Sequence, residues 1–173
     1  LTQAQREGRL GEAATAQVAL EYLAAVASQS EPLAQTLDAS RHVSMLIDIL
    51  NFYPVCAQIH LWGLEALMVM FRQGEQGLKD SLAAPVFDAV SDLVSTHQAN
   101  AKLHAAMPEL TKRLLAAIAL VLTPSTAARL NAGHIDFCLH VVHGPEVGPV
   151  VMEHALQVFL VARSPHRLRE QAD

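Results

Sequence analysis

Cysteine, aromatic side chains and basic charge are all scarce in this sequence. Two cysteines, Cys56 and Cys138, stand far apart within apolar helical patterns. That spacing excludes a disulfide framework and reads as two buried, reduced thiols in a cytoplasmic setting. Five Phe, two Tyr and one Trp make up 5% of the 173 residues. The interior therefore has to be filled by Ala, Leu and Val, and with few β-branched runs that composition favours helix. Twelve Lys and Arg against 17 Asp and Glu leave a net charge of −5, with no basic stripe to follow a phosphate backbone, so nucleic acid is excluded as a partner. Long apolar runs are missing as well. Those from Ile59 to Phe71 and from Leu114 to Leu122 are shorter than the roughly 20 residues that span a bilayer, and Glu65 interrupts the first. The chain opens at Leu1 on a polar stretch without a signal peptide, as expected of a piece cut from a longer protein.

What is present is apolar surface. Hydrophobic residues are 51% and charged ones 17%, enough burial to offset chain entropy in one compact domain or one short repeat array spanning residues 1–173. The 3.6-residue period predicts a long helix over 12–28, with Ala16, Leu20, Leu23 and Ala27 on one face. Ser30-Glu31-Pro32 ends it, and a short helix around 33–39 follows. The next helix, 42–51, places Val43, Leu46, Ile47 and Leu50 together, and a turn covers Asn51 to Pro54. The helix from Val55 to Arg72 is nearly all apolar and should be a central pillar packed on most sides. Gly74 and Gly77 should terminate it, and a further helix should open near Ala84-Pro85 and end by residues 97–100. Pro108 should kink or interrupt a helical segment over 100–122. After Thr123-Pro124 a short helix runs to Asn131 with Ala132-Gly133 as its C-cap. Helices over 134–143 and 147–163 complete the list, with Gly144-Pro145 between them and Ser164-Pro165 after them.

The list repeats. Val43 to Leu64, Val86 to Met107 and Ile135 to Leu156 are each 21 residues apart, joining the first buried position of a middle helix to the centre of the long helix after it. Leu20 is the matching centre of the leading helix. The organisation expected is a leading long helix at 12–28 followed by repeats at 31–73, 77–122 and 124–164.

A unit of this size with a short, a middle and a long helix resembles the armadillo repeat, with HEAT repeats as the near neighbour. The stretch from Leu37-Asp38-Ala39 through His42 to Leu50 and then Ile59 to Leu64 is similar to that family's middle and third helices, and Asn131-Ala132-Gly133-His134 to its Ala-Gly corner. The resemblance covers roughly residues 13–163. It implies an all-α fold, a right-handed α-solenoid of armadillo-like three-helix repeats whose long helices line a concave groove that binds a protein or peptide segment. On that ruler the groove positions include Glu21 and Tyr22, then Trp62, Glu65, Ala66 and Val69, then Glu109 and Lys112, and finally His154 and Gln157, with Val158 beside them. Trp62 stands where peptide-clamping armadillo proteins place a tryptophan. The asparagine of that pattern is absent, with Ala66 in its place, which favours an apolar helix or a folded partner.

Glu21, Glu65 and Glu109 recur every 44 residues. They would make the groove acidic and suited to a basic or amphipathic helix. Asp136, His140 and His143 share a helical face by steps of four and three. Nothing near them in sequence completes a metal's first shell, so a solvated face is the reading and no metal or other cofactor is expected. No GxxxxGK[ST] loop, GxSxG elbow or HExxH segment occurs. The cysteines have no adjacent cation to activate them. No catalytic residue follows, and the protein is expected to be a non-enzymatic adaptor or regulatory scaffold. The rival expectation is structural: exposed ends of a short stack, with Ala13, Ala16, Val18, Leu20 and Leu23 uncovered on the leading helix, pair with further repeats or with a second copy.

Overall fold

The computed structural model describes residues 3–29, 39–53, 56–73, 76–99, 108–144 and 147–163. Among them there are eight α-helices and no strand. The chain divides into two compact units, Leu1–Lys79 and Asp80–Asp173, and each is treated by itself.

The first unit holds α1 (Gln3–Gln29), α2 (Ala39–Phe52) and α3 (Ala57–Gln73). The expected helix around 33–39 lies outside the described residues, save for its last residue, which begins α2. On α2 one face is buried, through Val43, Leu46 and Leu50, while Arg41, Ser44 and Asp48 face solvent, the pattern of a helix lying on a core. The pillar expected at α3 is there. Ile59, His60, Leu61, Leu64, Ala66, Leu67 and Met68 are all buried, and both α1 and α2 pack against it. Gly63 makes that close approach feasible. A methyl at its Cβ position would lie 2.7 Å from Leu50 Cδ2 and 3.8 Å from Leu20 Cδ1, so the bare backbone is where three helices meet.

The second unit takes most of α4 (Gln76–Ala99), with α5 (Pro108–Leu120), α6 (Pro124–Ala127), α7 (Ala132–Val142) and α8 (Pro149–Ala162). Two expected boundaries are corrected here. Gly77 does not end α3 but lies inside α4, and Pro85 sits in the interior of that helix rather than at its start. An interior proline costs about 3 kcal/mol. Here it lies on the exposed side, while Ala83, Val86, Phe87, Val90, Leu93 and Val94 form a continuous buried stripe, worth about 1.5–3 kcal/mol for each large side chain. Burial therefore outweighs the local break. Ala132-Gly133, expected to cap a preceding helix, instead opens α7. Asn131 is its N-cap, with extended backbone at φ −128° and ψ 178° and a side chain that accepts from the His134 N–H. No described glycine has the positive φ of a C-cap. Pro108 restarts a helix as the first residue of α5, where its missing N–H is unneeded, while Met107 lies outside the described residues.

Within this unit α8 packs on both α5 and α7. The same relation holds between α3 and the pair α1 and α2. Its core is Leu110, Leu114, Leu115 and Ile118 from α5, Phe137 and Cys138 from α7, and Ala155 and Val158 from α8. The 21-residue interval also survives, but one residue earlier than expected. His134 and Ala155 are the buried pair, while Ile135 is half-buried and Leu156 is 53% exposed. The sequence pattern favours the more apolar residue of each neighbouring pair. The structure buries the histidine instead, because its ring is hydrogen-bonded at both nitrogens.

Candidate interaction surface

Only some of the residues expected in the groove reach solvent. On α1 Glu21 is exposed and Tyr22 is 72% exposed. On α3, against which α1 packs, Trp62 and Glu65 are half-buried. Ala66 and Val69, expected to line the groove, are buried in the first unit's core. The reason is the wrapping of α3: with two helices packed on it, positions four and seven residues beyond Trp62 turn inward rather than toward an open cleft. Val158 is corrected in the same way, being fully buried on α8.

In the second unit the expected groove residues are already engaged. Glu109 stands in the first turn of α5, where its charge favours the helix N-terminus. It lies 3.7 Å from Arg113 Nε and 4.0 Å from Lys112 Nζ. Cations on its own helix thus offset the acidity that recurrence with Glu21 and Glu65 implied. Gln157 donates from Nε2 to the Ala119 carbonyl at 2.9 Å, supplying a partner to a carbonyl in the last turn of α5. It braces two helices, and His154 beside it is half-buried.

A part-buried polar chain in this unit went unforeseen. Asn131 N–H donates to His134 Nδ1 at 3.2 Å, His134 Nε2 lies 2.9 Å from Ser91 Oγ, and Ser91 Oγ donates to the Phe87 carbonyl at 2.7 Å. Nδ1 also lies 2.8 Å from Asn131 Oδ1, so that asparagine faces this ring nitrogen with both its backbone N–H and its side-chain oxygen. The order Ser, His, Asn is that of a catalytic triad, but Ser91 spends its own proton on the carbonyl one turn back. The surface clefts along α1 and α8 include none of the three. The group therefore fastens α7 to α4, helped by Gln98 Nε2 donating to the Gly133 carbonyl at 3.2 Å and by Arg129 Nη1 on both oxygens of Asp88 at 2.6 Å. The signal available in sequence is the separation of Ser91 and His134, 43 residues, which equals the step from Val43 to Val86.

Nucleophile and metal chemistry find little support. Cys138 is fully buried, and burial pushes its thiol up to about 12; Cys56 is half-buried. Among the described residues no group of three or more His, Cys, Asp or Glu side chains lies close enough to hold a metal. His143 Nδ1 donates to the Leu139 carbonyl at 2.7 Å, which removes that nitrogen from any ligand set with Asp136 and His140. No helix among the described residues is long and apolar enough to cross a membrane.

The sequence also left unnoticed the face of α8. Met152, Leu156 and Leu160 are exposed at steps of four, Leu160 at 71%, along an open cleft with Pro149 at one end and Val161 at the other. A similar stripe on α1 runs through Ala14, Val18 and Tyr22, with Val18 65% exposed. Together these features give a protein that is all-helical among the described residues, with exposed apolar helix faces on α1 and α8. Comparison with protein-family models, with curated proteins and with solved structures found no match.

Proposed function

We propose that this chain is an armadillo-like α-solenoid segment acting as a protein-interaction module, which holds a basic or amphipathic helix against the first unit. The observation that carries the reading is Tyr22, a large aromatic side chain left 72% exposed beside exposed Glu21. Trp62 and Glu65 are half-buried on the helix packed against it. Aromatic anchors next to acids fit a partner helix with one apolar and one cationic face. The solenoid part of the reading is supported by two similarities. A long helix packs on an earlier long helix and on a middle helix in both units. The tertiary side-chain bonds Gln98–Gly133, Gln157–Ala119, Arg129–Asp88 and Ser91–His134 join residues 35, 38, 41 and 43 apart, close to one repeat, as expected where each unit touches its neighbour.

The test is selection of displayed helical peptides on the intact chain, with the Glu21→Lys/Glu65→Lys variant as counter-target. Enrichment of amphipathic peptides with Lys or Arg along one face, lost on the variant, is the expected result. Peptides that bind both forms equally, or no enrichment, overturn the reading.

A further inference from the structure

The start of α7 gives two structural tasks to one titratable side chain. His134 is the third residue of that helix, the place where a capping box normally carries Glu or Gln. Its Nδ1 lies 3.2 Å from the Asn131 backbone nitrogen and 2.8 Å from Asn131 Oδ1, and that oxygen accepts from the His134 N–H at 3.2 Å. Its Nε2 reaches across to Ser91 of α4 at 2.9 Å. The ring is 4% exposed and lies against Phe87, with centroids 5.2 Å apart. An uncharged ring suits this place. A charged ring does not, whichever nitrogen held the first proton: its Nδ1–H shares a corner with the Asn131 N–H, itself a donor. The corner stands at the positive end of the helix dipole, and burying a charge there is costly. Of the charged groups on the elements around it, Asp88 of α4 binds Arg129, and Glu109 of α5 lies near Lys112 and Arg113. Asp80 and Asp92 of α4, Asp136, His140 and His143 of α7, and Glu153 of α8 are exposed. His97 of α4 is buried, and His154 of α8 is half-buried.

We propose that α7 is fastened to α4 by a proton-operated clasp: the uncharged His134 ring holds the first turn of α7 on Ser91, and on taking up a proton the ring swings into water and frees that turn. Swinging out breaks the bond to Ser91 and the side-chain half of the cap on the Asn131 N–H together. The other ties between α4 and this segment, Gln98 to the Gly133 carbonyl and Arg129 to Asp88, depend on residues 129–133 keeping their place. In water a histidine ring takes its proton near the ordinary value of about 6.5. The closed form is therefore fully favoured above that pH, and below it the open form gains by up to about tenfold per pH unit. The device lies in the second unit, apart from the surface on α1 and α3, and stands whatever binds there.

Amide hydrogen exchange of the intact chain, followed by NMR from about pH 7 to 5, tests this, each rate being divided by that of the unfolded chain at the same pH. The expected result is that protection of the amides from His134 to Cys138 falls by up to about tenfold per pH unit below about 6.5, while those of Ala155 and Val158 on α8 hold. Protection should return when the pH is raised. His134→Gln keeps a capping group that cannot take a charge, so its protection should stay level across the range. His60→Gln and His97→Gln should leave the response as it is in the parent chain. Constant protection at the start of α7 overturns the inference, and so does a response that persists in His134→Gln or disappears in His60→Gln or His97→Gln. Should His134→Gln fail to fold, the His134 imidazole signals of the parent chain decide. Loss of the protection at the proton uptake they report supports the clasp, whereas a ring that takes up its proton while the α7 amides stay protected has turned its Nδ1–H to Asn131 Oδ1 and overturns it.

Discussion

Replacing Gly63 by alanine tests the packing of the first unit where α3 meets Leu50 of α2. In an exposed helix interior the change is favourable by up to about 1 kcal/mol. Here the new methyl would sit 2.7 Å from Leu50 Cδ2 and 3.3 Å from its Cγ, where carbon atoms normally rest about 3.5–4.0 Å apart. Leu50 is buried between helices and has to shift by about 1 Å, an overpacking that costs about 1–3 kcal/mol. The net expectation is a loss of about 1 kcal/mol, and more for valine. The diagnostic comparison is with Leu50→Ala, which alone should cost about 2–5 kcal/mol by opening a cavity. In that background the alanine methyl no longer meets Leu50 and fills part of the void, so Gly63→Ala should turn neutral or stabilising. That gives a coupling of about 1–3 kcal/mol between the two sites. Urea unfolding followed by circular dichroism reads all four proteins. Stabilisation by Gly63→Ala in the parent chain, or the same effect in both backgrounds, would show that α2 and α3 do not meet at this point.

Other outcomes follow from the same geometry. Asn131→Ala removes the N-cap of α7 and should cost about 0.5–2 kcal/mol in the urea midpoint, whereas Asn131→Asp should retain most of it. Burial of His60 pushes its imidazole below its ordinary 6.5, with the backbone of Tyr53 and Leu50 opposing. Above that value both folded and unfolded chains carry the neutral ring; as pH falls through it the unfolded chain takes up a proton first, so stability should drop between pH 7 and 5 and level off below the folded value. His60→Gln should flatten the profile, and an unchanged slope would remove His60 as its source. With its thiol pushed up to about 12, Cys138 should resist a charged thiol reagent at pH 8 in the folded chain and react in denaturant, counted by mass spectrometry against half-buried Cys56. Gln157→Ala should lower stability by about 1 kcal/mol through loss of its bond to Ala119 and leave peptide binding unaltered.

The helical class and the pillar at α3 were legible because their signals are periodic and redundant: Val43, Leu46 and Leu50 fall on one face, and α3 is apolar nearly all round. Single positions were less so. Pro85 reads as a helix start, because proline's local preference is strong, yet the buried stripe of α4 overrides it. Asn131 and Gly133 read as a helix end, because glycine is at home in a C-cap, but the asparagine oxygen captures the His134 N–H and begins α7. The interval of 21 residues was visible while its register slipped, since a buried histidine looks polar until its partners at Asn131 and Ser91 are in place. The same difficulty affected the surface. Ala66 and Val69 were placed in a groove from spacing alone, and the α8 stripe went unseen because an apolar helix near the end of a chain gives no sign of which side its neighbours cover.

The interaction reading is tested most directly by the emission of Trp62, the single tryptophan of the chain, during titration of the intact protein with a selected basic amphipathic peptide. Trp62 is half-buried on α3, so a helix docking beside Tyr22 and Glu65 should change its solvation and shift its emission in a saturable curve. The affinity should weaken with salt and on Glu21→Lys/Glu65→Lys. An emission that stays constant through excess peptide, or a shift of equal affinity in that variant, would contradict the assignment of this surface as the binding site.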